Sequence, residues 1–441
     1  MFKSLMNALK VKEIRVKILF TLLMLAVIRF GSAIPVPGMN IAEFQRWFSD
    51  LTSGNDTFGF LDRFTGGSFE KMSILALNIT PYITSSIIVQ LLTIAIPKFE
   101  EWQRDGEDGR KKLTALTRYF TIALALIQSI AMAIGFYRTK NFLTVDKSIF
   151  LVVQIVAALT AGSAFLMWIG ERITDRGVGN GISIVLTINI LSRMPNDISG
   201  LFKQFVFGKP IARGVVSAII ILAVIVAMVV LVVVLNGAER RIPVQYAKKI
   251  QGRKTYGGNR SEIPLKVNTA GVMPIIFAMS LFQFPALITQ LTGYKGDGIW
   301  GKIMAYLNQG NWCDPNHWNY SIGLVVYILL LIFFAYFYTS ISFNPIEIAE
   351  NMKKQGGFIP GIRPGKPTSE YLTSILNYII FIGACGLIII GVLPIFFNGM
   401  FGAKVSFGGT SLIIVVSVIL ETIKQVESQM LVRNYKGFLE D

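Results

Sequence analysis

The long apolar runs of this chain differ in kind. Residues 214–235 (GVVSAIIILAVIVAMVVLVVVL) carry one serine and no charge. Residues 78–96 (NITPYITSSIIVQLLTIAI) are interrupted by Asn78, Pro81, Ser85, Ser86 and Gln90. A bilayer core about 30 Å thick needs roughly 20 apolar residues in a helix, so both runs are long enough. Only the first can face lipid all round. The second carries polar groups and a helix breaker that have to be satisfied inside protein or along a water-filled path. A chain with both kinds of span is a bundle whose interior has a use, not a simple anchor.

The same pattern predicts ten spans, at 18–37, 73–97, 119–137, 149–170, 180–192, 214–236, 268–292, 321–342, 371–397 and 409–431. They divide into two sets of five, so the sixth enters from the side opposite the first, and any repeat between the halves is inverted. The second span of each half carries Asn followed by Pro: Asn78 and Pro81, then Asn268 and Pro274. Interrupted helices at matching positions point to a functional path between repeats. Spans six and eight are nearly uniform and are expected to face lipid. Spans two, five, seven and ten hold polar residues at several depths, including Thr187 and Asn189 in span five and Ser411 and Ser417 in span ten. These four are expected to line the interior.

Composition agrees with a membrane protein: 53% of residues are hydrophobic and 15% charged, against about 25% charged in soluble chains. The net charge of +16 invites a nucleic-acid reading, but its distribution tells against one. With the N-terminus inside, 27 of the 42 Lys and Arg fall on the inner side and 13 on the outer, Arg29 and Lys424 lying within spans. That asymmetry predicts both termini inside. The Lys-rich start followed by Ile18–Ile28 resembles a signal peptide. Arg29 and Pro35-Val36-Pro37 stand where a small-residue cleavage site belongs, so this run is expected to remain as the first span.

Three connecting segments are unusual. Residues 57–73 (TFGFLDRFTGGSFEKMS) mix Phe58, Phe60, Leu61, Phe64 and Phe69 with Gly59, Gly66 and Gly67. They read either as a short helix with glycine hinges folding back into the bundle or as an interfacial helix on the membrane surface. Residues 237–267 contain YAKKIQGRKTYGG, and residues 343–370 contain GGFIPGIRPGKPT, a stiff projecting turn. Basic inner loops of this kind meet anionic lipid or dock an acidic or RNA-containing partner.

Catalytic chemistry is missing. His317 is the only histidine, which excludes HExxH and multi-histidine metal sites; no metal or cofactor is expected. PGKPT at 364–368 resembles a phosphate-binding loop, but Pro360 stands where glycine belongs and Pro367 where Ser or Thr would hold magnesium. GVGNGIS at 177–183 lacks the strand context of a dinucleotide site. No span holds paired carboxylates. Arg29 is the one deep charge, costing about 2.5–3.5 kcal/mol at a helix centre on insertion scales. Cys313 and Cys385 read as free thiols. An enzyme is not expected, and three readings stay open: a passive pore gated by partners, an ion-coupled secondary transporter, and a scaffold.

Six segments, PYITSSIIVQLL (81–92), DRGVGNGISI (175–184), YAKKIQGRKTY (246–256), LKVNTAGVMP (265–274), FIPGIRPG (358–365) and FGGTSLII (407–414), together resemble the SecY family of protein-translocation channels. The likeness runs in order from about Ile14 to Tyr435. It implies an all-α membrane channel of ten helices in two inverted halves, residues 1–205 and 206–441, around a central pore. Unfolded secretory polypeptides would cross it outward, and membrane segments would leave sideways into lipid.

By motif, the resemblance places a pore ring at Ile79, Ile83, Leu186, Ile276 and Ile414. Branched aliphatic side chains seal such a pore by dewetting and close around a moving chain without hydrogen-bonding to it. Residues 57–73 match the family's plug, with Phe58, Phe60, Leu61, Phe64, Gly66 and Gly67. Thr84 and Phe284 fall at a lateral gate between spans two and three and spans seven and eight. Arg363, with Lys248, Lys249, Arg253 and Lys254, falls on an inner docking face. The partners implied are the motor ATPase SecA, the ribosome, signal peptides, unfolded precursors, membrane lipid and the small subunits SecE and SecG. The location implied is the bacterial plasma membrane.

Overall fold

A computed structural model describes residues 10–54, 65–138, 142–143, 149–207, 211–246, 249–251, 254–256, 260–292, 298–308, 311–313, 318–401 and 409–436. The first half contains α1 (Lys12–Gly31), α2 (Ile41–Gly54), α3 (Thr80–Ala95), α4 (Pro97–Arg104), α5 (Gly106–Arg138), α6 (Ile149–Arg176) and α7 (Gly181–Phe205). Helix α8 (Ile211–Gly237) leads into strands β1 (Glu239–Tyr246), β2 (Lys249–Gln251), β3 (Lys254–Tyr256) and β4 (Arg260–Lys266). Then come α9 (Met273–Thr292), α10 (Ile299–Leu307), α11 (Ile322–Ser342), α12 (Pro345–Lys354), β5 (Gly357–Phe358), α13 (Lys366–Phe401) and α14 (Gly409–Lys436).

Each of the ten apolar runs contains a helix. Among the described residues, five helices are long and apolar enough to cross a bilayer: Gly106–Tyr137, Ile149–Arg176, Gly214–Gly237, Trp318–Lys354 and Lys366–Phe397. Helices α3 and α4 pass the same test only when taken together, and they are bent by 108° at their junction. The bend is written in the sequence. Ile96 precedes Pro97 and is extended (φ −118°, ψ 114°), as a residue before proline prefers, and Pro97 then opens α4 in its first turn. The helices over the other runs carry polar or charged residues, or are short, as in Met273–Phe282. The chain is a multi-pass membrane protein.

Span six faces outward as expected, whereas span eight does so on one side only. Only 17% of the apolar window of α8 is buried, and Val215, Val216, Ile219, Ile220 and Leu222 point outward. Helix α11 divides its faces: Tyr327, Leu331 and Phe334 are buried, while Val325, Leu329 and Phe333 are exposed. Helices α3, α5, α6 and α7 pack in succession, and α9, α11, α13 and α14 do the same in the second half. The two sets meet where α9 touches α5 and α3, and where α14 and α8 touch α7.

The described residues 65–79 fold back into the bundle. Thr65 is helical and the residues after it run as a chain of turns; residues 57–64, where the sequence suggests a short helix with glycine hinges, lie outside the described residues. The reason is local backbone geometry. Gly66, Gly67, Met72 and Asn78 have positive φ (64°, 82°, 45° and 53°), which breaks a helix every few residues. The turns are held by Ile34–Val36: the Val36 N–H donates to Met72 O at 2.9 Å, and the Ile74 N–H to Ile34 O at 2.9 Å. Gly162 on α6 lets this chain come close, since a Cβ there would stand 2.1 Å from Ile74 O. Phe69 and Met72 enter an aromatic cluster in which fully buried Phe44 contacts Phe48, Phe69, Phe136 and Phe142.

The basic connecting segments hold strands that the sequence reading left as loops. Strand β1 pairs antiparallel with β4 along its length, Ile242 opposite Ile263, and with β5, Gln245 opposite Phe358. Strands β2 and β3 form a second, two-stranded ladder. Through the pairing of Gln245 with Phe358, the two segments share one three-stranded sheet, β4-β1-β5.

Candidate functional site: a cavity between the helices

A cavity of about 670 Å³ opens between α3, α6, α7, α9 and α14. Its walls are polar. Tyr82, Ser86 and Gln90 come from α3, Thr174 and Asp175 from α6, Asn180 and Ser183 from α7, and Ser417, Glu421 and Lys424 from α14. Arg118 and Glu171 meet across α5 and α6 at 2.7 Å on the same wall. Three cations and three carboxylates (Arg118, Lys266, Lys424; Glu171, Asp175, Glu421) line it together. The positive charge of the chain is therefore not concentrated here. Among the described residues no group of His, Cys, Asp and Glu could hold a metal ion.

The turn at the start of α7 shapes one wall. Asn180 Oδ1 accepts from the Ile182 and Ser183 N–H groups, an N-cap that starts the helix. Gly181 is needed because a Cβ there would stand 1.9 Å from Gly170 O. The Gly181 N–H donates to Thr174 Oγ1 at 2.9 Å, and the Val178 N–H to Thr21 Oγ1 on α1 at 3.1 Å. The motif that resembled a nucleotide loop is a close-packed corner between α6, α7 and α1.

The cavity also contains apolar side chains from four helices: Ile83 on α3, Leu186 on α7, Ile276 on α9 and Ile414 on α14. Leu186, Ile276 and Ile414 are buried, at 4%, 7% and 1% exposure. Ile79, fully buried at the N-cap of α3, lies in the same apolar cluster without reaching the cavity. Pro81 fixes this arrangement by opening α3 immediately after Ile79, and Ile83 donates its N–H back to Ile79 O at 3.0 Å.

Two polar ties join the helices, the second of them at the cavity wall. In the first half, Asn189 Nδ2 donates to Asn78 Oδ1 at 3.1 Å, and Ser163 Oγ to Asn78 O at 3.1 Å. Arg29 extends this tie, donating from Nη1 to Asn189 Oδ1 at 3.2 Å and from Nη2 to Gly66 O at 3.3 Å. Arg193 pairs with Glu70. In the second half, Asn268 Nδ2 donates to Asn236 Oδ1 at 2.8 Å and Asn236 Nδ2 to Ser417 Oγ at 2.6 Å. The sequence marked Asn78, Asn189, Asn268 and Ser417 as polar positions within spans. It did not mark Asn236, whose place at the very end of the most apolar helix was the available signal.

The other predicted residues are spread over the molecule. Thr84 is half-buried on α3 and donates to Thr80 O at 3.0 Å. Phe284 belongs to α9, and Lys249 and Lys254 to the β2–β3 ladder; their side chains lie outside the described part. Arg363 is exposed in the turn after β5, its carbonyl held by Thr368 Oγ1 at 2.8 Å, with Gly361 and Gly365 at φ 82° and 105°. Gly66 and Gly67 sit against Arg29 and Arg193. Phe58, Phe60, Leu61, Phe64, Lys248 and Arg253 lie outside the described residues.

The family model for SecY matches residues 73–423. The chain is 44% identical over 445 residues to the protein translocase subunit SecY of Halalkalibacterium halodurans, covering all of both chains. The fold is similar to that of a solved protein-conducting channel, with a TM-score of 0.62, 18% identity and coverage of 94% of this chain and 93% of the other. It is similar too to Sec61 in the canine ribosome-channel complex from the endoplasmic reticulum, with a TM-score of 0.60, 16% identity and the same coverage. Of the three readings left open by the sequence, these likenesses select the pore. The chain belongs to the SecY family.

Proposed function

We propose that this chain is the channel subunit of a protein translocase, passing unfolded secretory polypeptides across the membrane and releasing membrane segments into lipid. The observation that carries the reading is the cavity: its polar lining suits a hydrated chain, and Ile83, Leu186, Ile276 and Ile414 from four helices line it together. Branched side chains at a constriction expel water and ions at rest, yet offer no hydrogen bonds that would arrest a sliding polypeptide. Ile79, Ile83, Leu186, Ile276 and Ile414 form this ring in the proposal. Residues 57–73 are the plug, its described part at 65–73 packed beside the same helices. Ile83→Gly and Ile276→Gly are expected to raise ion conductance through reconstituted channels; unchanged conductance in both would remove the ring assignment.

In this reading the ten helices span the membrane as two inverted halves, residues 1–205 and 206–441. Both termini lie in the cytoplasm, and the membrane is the bacterial plasma membrane. The lateral gate lies where α9 meets α3 and α5, with Thr84 and Phe284 on its sides, and is the exit for signal peptides into lipid. The channel does no chemistry of its own. The motor ATPase SecA or a translating ribosome supplies the energy, and SecE and SecG complete the membrane complex. A ribosome partner is supported by the canine Sec61 likeness. A yeast Ssh1 complex bound to the 80S ribosome, with a TM-score of 0.60, supports it as well.

The docking face is the β4-β1-β5 sheet with the β2–β3 ladder and the Arg363 turn. Lys248, Lys249, Arg253 and Lys254 share it. The test is transport into sealed vesicles holding the channel and its small subunits, given SecA, ATP and an unfolded precursor. The precursor becomes protease-protected with wild type, and protection is lost with Arg363→Glu. Absence of protection with every precursor, by motor or ribosome, overturns the channel reading.

A further inference from the structure

Arg29 is the one charge deep in the first apolar run, and the described contacts give it a specific task. Its guanidinium bridges two separate elements: Nη1 bonds Asn189 Oδ1 on α7, and Nη2 bonds the main-chain oxygen of Gly66 in the re-entrant turns. Ser192 Oγ, also on α7, donates to the same Gly66 oxygen at 3.3 Å. The approach is close: a Cβ at Gly66 would stand 2.8 Å from Asn189 O and 2.8 Å from Arg29 Nη1. Through Asn189 the bridge continues to Asn78, beside the ring residue Ile79. A planar guanidinium can hold two acceptors at once in fixed geometry, which a lysine ammonium does less well.

We propose that Arg29 is a positioning residue that latches the plug segment to α7, setting how readily the idle channel opens. The proposal rests on the channel reading above and deepens it. A translocating chain that displaces residues 65–73 has to break the Arg29–Gly66 bond, and the freed guanidinium keeps only its Asn189 partner. The latch is therefore strong when the segment is seated and incomplete when it is displaced, which makes opening cooperative. A weaker latch lowers the demand on the signal sequence.

The test uses the channel complex in vesicles with wild type, Arg29→Met, Arg29→Lys, Gly66→Ala and the Arg29→Met/Gly66→Ala double variant. Resting ion leak and transport of a precursor with a defective signal sequence are read, each corrected for assembled channel. Arg29→Met is expected to raise the leak roughly tenfold, the shift in the seated population that loss of one charge-assisted hydrogen bond gives, and to admit the defective precursor. Gly66→Ala, which unseats the segment by clash, is expected to do the same, and the double variant no more than either. Arg29→Lys is expected to fall between Arg29→Met and wild type.

A wild-type leak in Arg29→Met beside a raised leak in Gly66→Ala overturns the latch and leaves the plug standing. Wild-type leaks in both overturn the plug assignment as well. Multiplying leaks in the double variant also overturn the latch, because they make the two effects independent. Should Arg29→Met fail to assemble, the leak of Arg29→Lys decides: raised supports the latch, unchanged overturns it.

Discussion

Asn78 and Asn268 each lie just before a helix with a proline at its second position, α3 and α9, yet their ties differ. Asn78 is 1% exposed, and its Oδ1 and main-chain oxygen both accept from neighbours, while its partner Asn189 takes a donor from Arg29. Asn268 is 6% exposed, donates to Asn236, and has an Oδ1 without a hydrogen-bond partner among the described residues. All three members of the second tie, Asn268, Asn236 and Ser417, line the cavity; Asn78 and Asn189 do not. A buried acceptor left unpaired costs about 1–3 kcal/mol, so the second tie holds its helices less firmly than the first. One half anchors the re-entrant segment. The other ties helices at the cavity wall.

The largest expected effect comes from cutting each tie at its middle. Asn189→Leu removes both the donor to Asn78 Oδ1 and the acceptor of Arg29 Nη1; losing one neutral hydrogen bond and one to a charged group should cost about 2–4 kcal/mol. Asn236→Leu leaves the Asn268 amide and Ser417 without each other's link, at a cavity wall, and should cost about 1–3 kcal/mol. Thermal unfolding of the purified channel in detergent compares the two. Equal falls in midpoint would erase the contrast between the halves.

How much of this could be read beforehand depends on the range of the interaction. Apolar periodicity and length located the helix in every run, because helix formation in lipid is a local matter of backbone hydrogen bonds. The break at Ile96-Pro97 was equally local. The β4-β1-β5 sheet was not readable: β5 is a two-residue strand, and its pairing with β1 joins Phe358 to Gln245 across α9, α10, α11 and α12. The Gly66 and Gly67 hinges were visible as glycines. Their use became visible only with Arg29 and Arg193 against them, contacts that no spacing rule predicts. The same holds for the aliphatic lining of the cavity. Isoleucine in a membrane helix is ordinarily packing, and only convergence from four helices gives Ile83, Leu186, Ile276 and Ile414 a common place.

The smallest effect tests whether the first tie also stores backbone strain. Asn78 has φ 53°, in the left-handed region that Asn tolerates better than most residues and glycine better still. Asn78→Ala loses the Asn189 hydrogen bond and places a Cβ residue in that region. Asn78→Gly loses the same bond but relieves the strain. The glycine variant should therefore be the more stable of the two by about 1 kcal/mol, the order of the left-handed penalty. Asn268 is not among the positive-φ residues, so there the order reverses: Asn268→Gly gains no relief and pays the extra backbone entropy of glycine, about 0.5–1 kcal/mol relative to alanine. Unfolding midpoints of the four variants decide the point. The same order at both positions would mean that the ties differ in their hydrogen bonds alone, and that the turns at 65–79 are held without strain at Asn78.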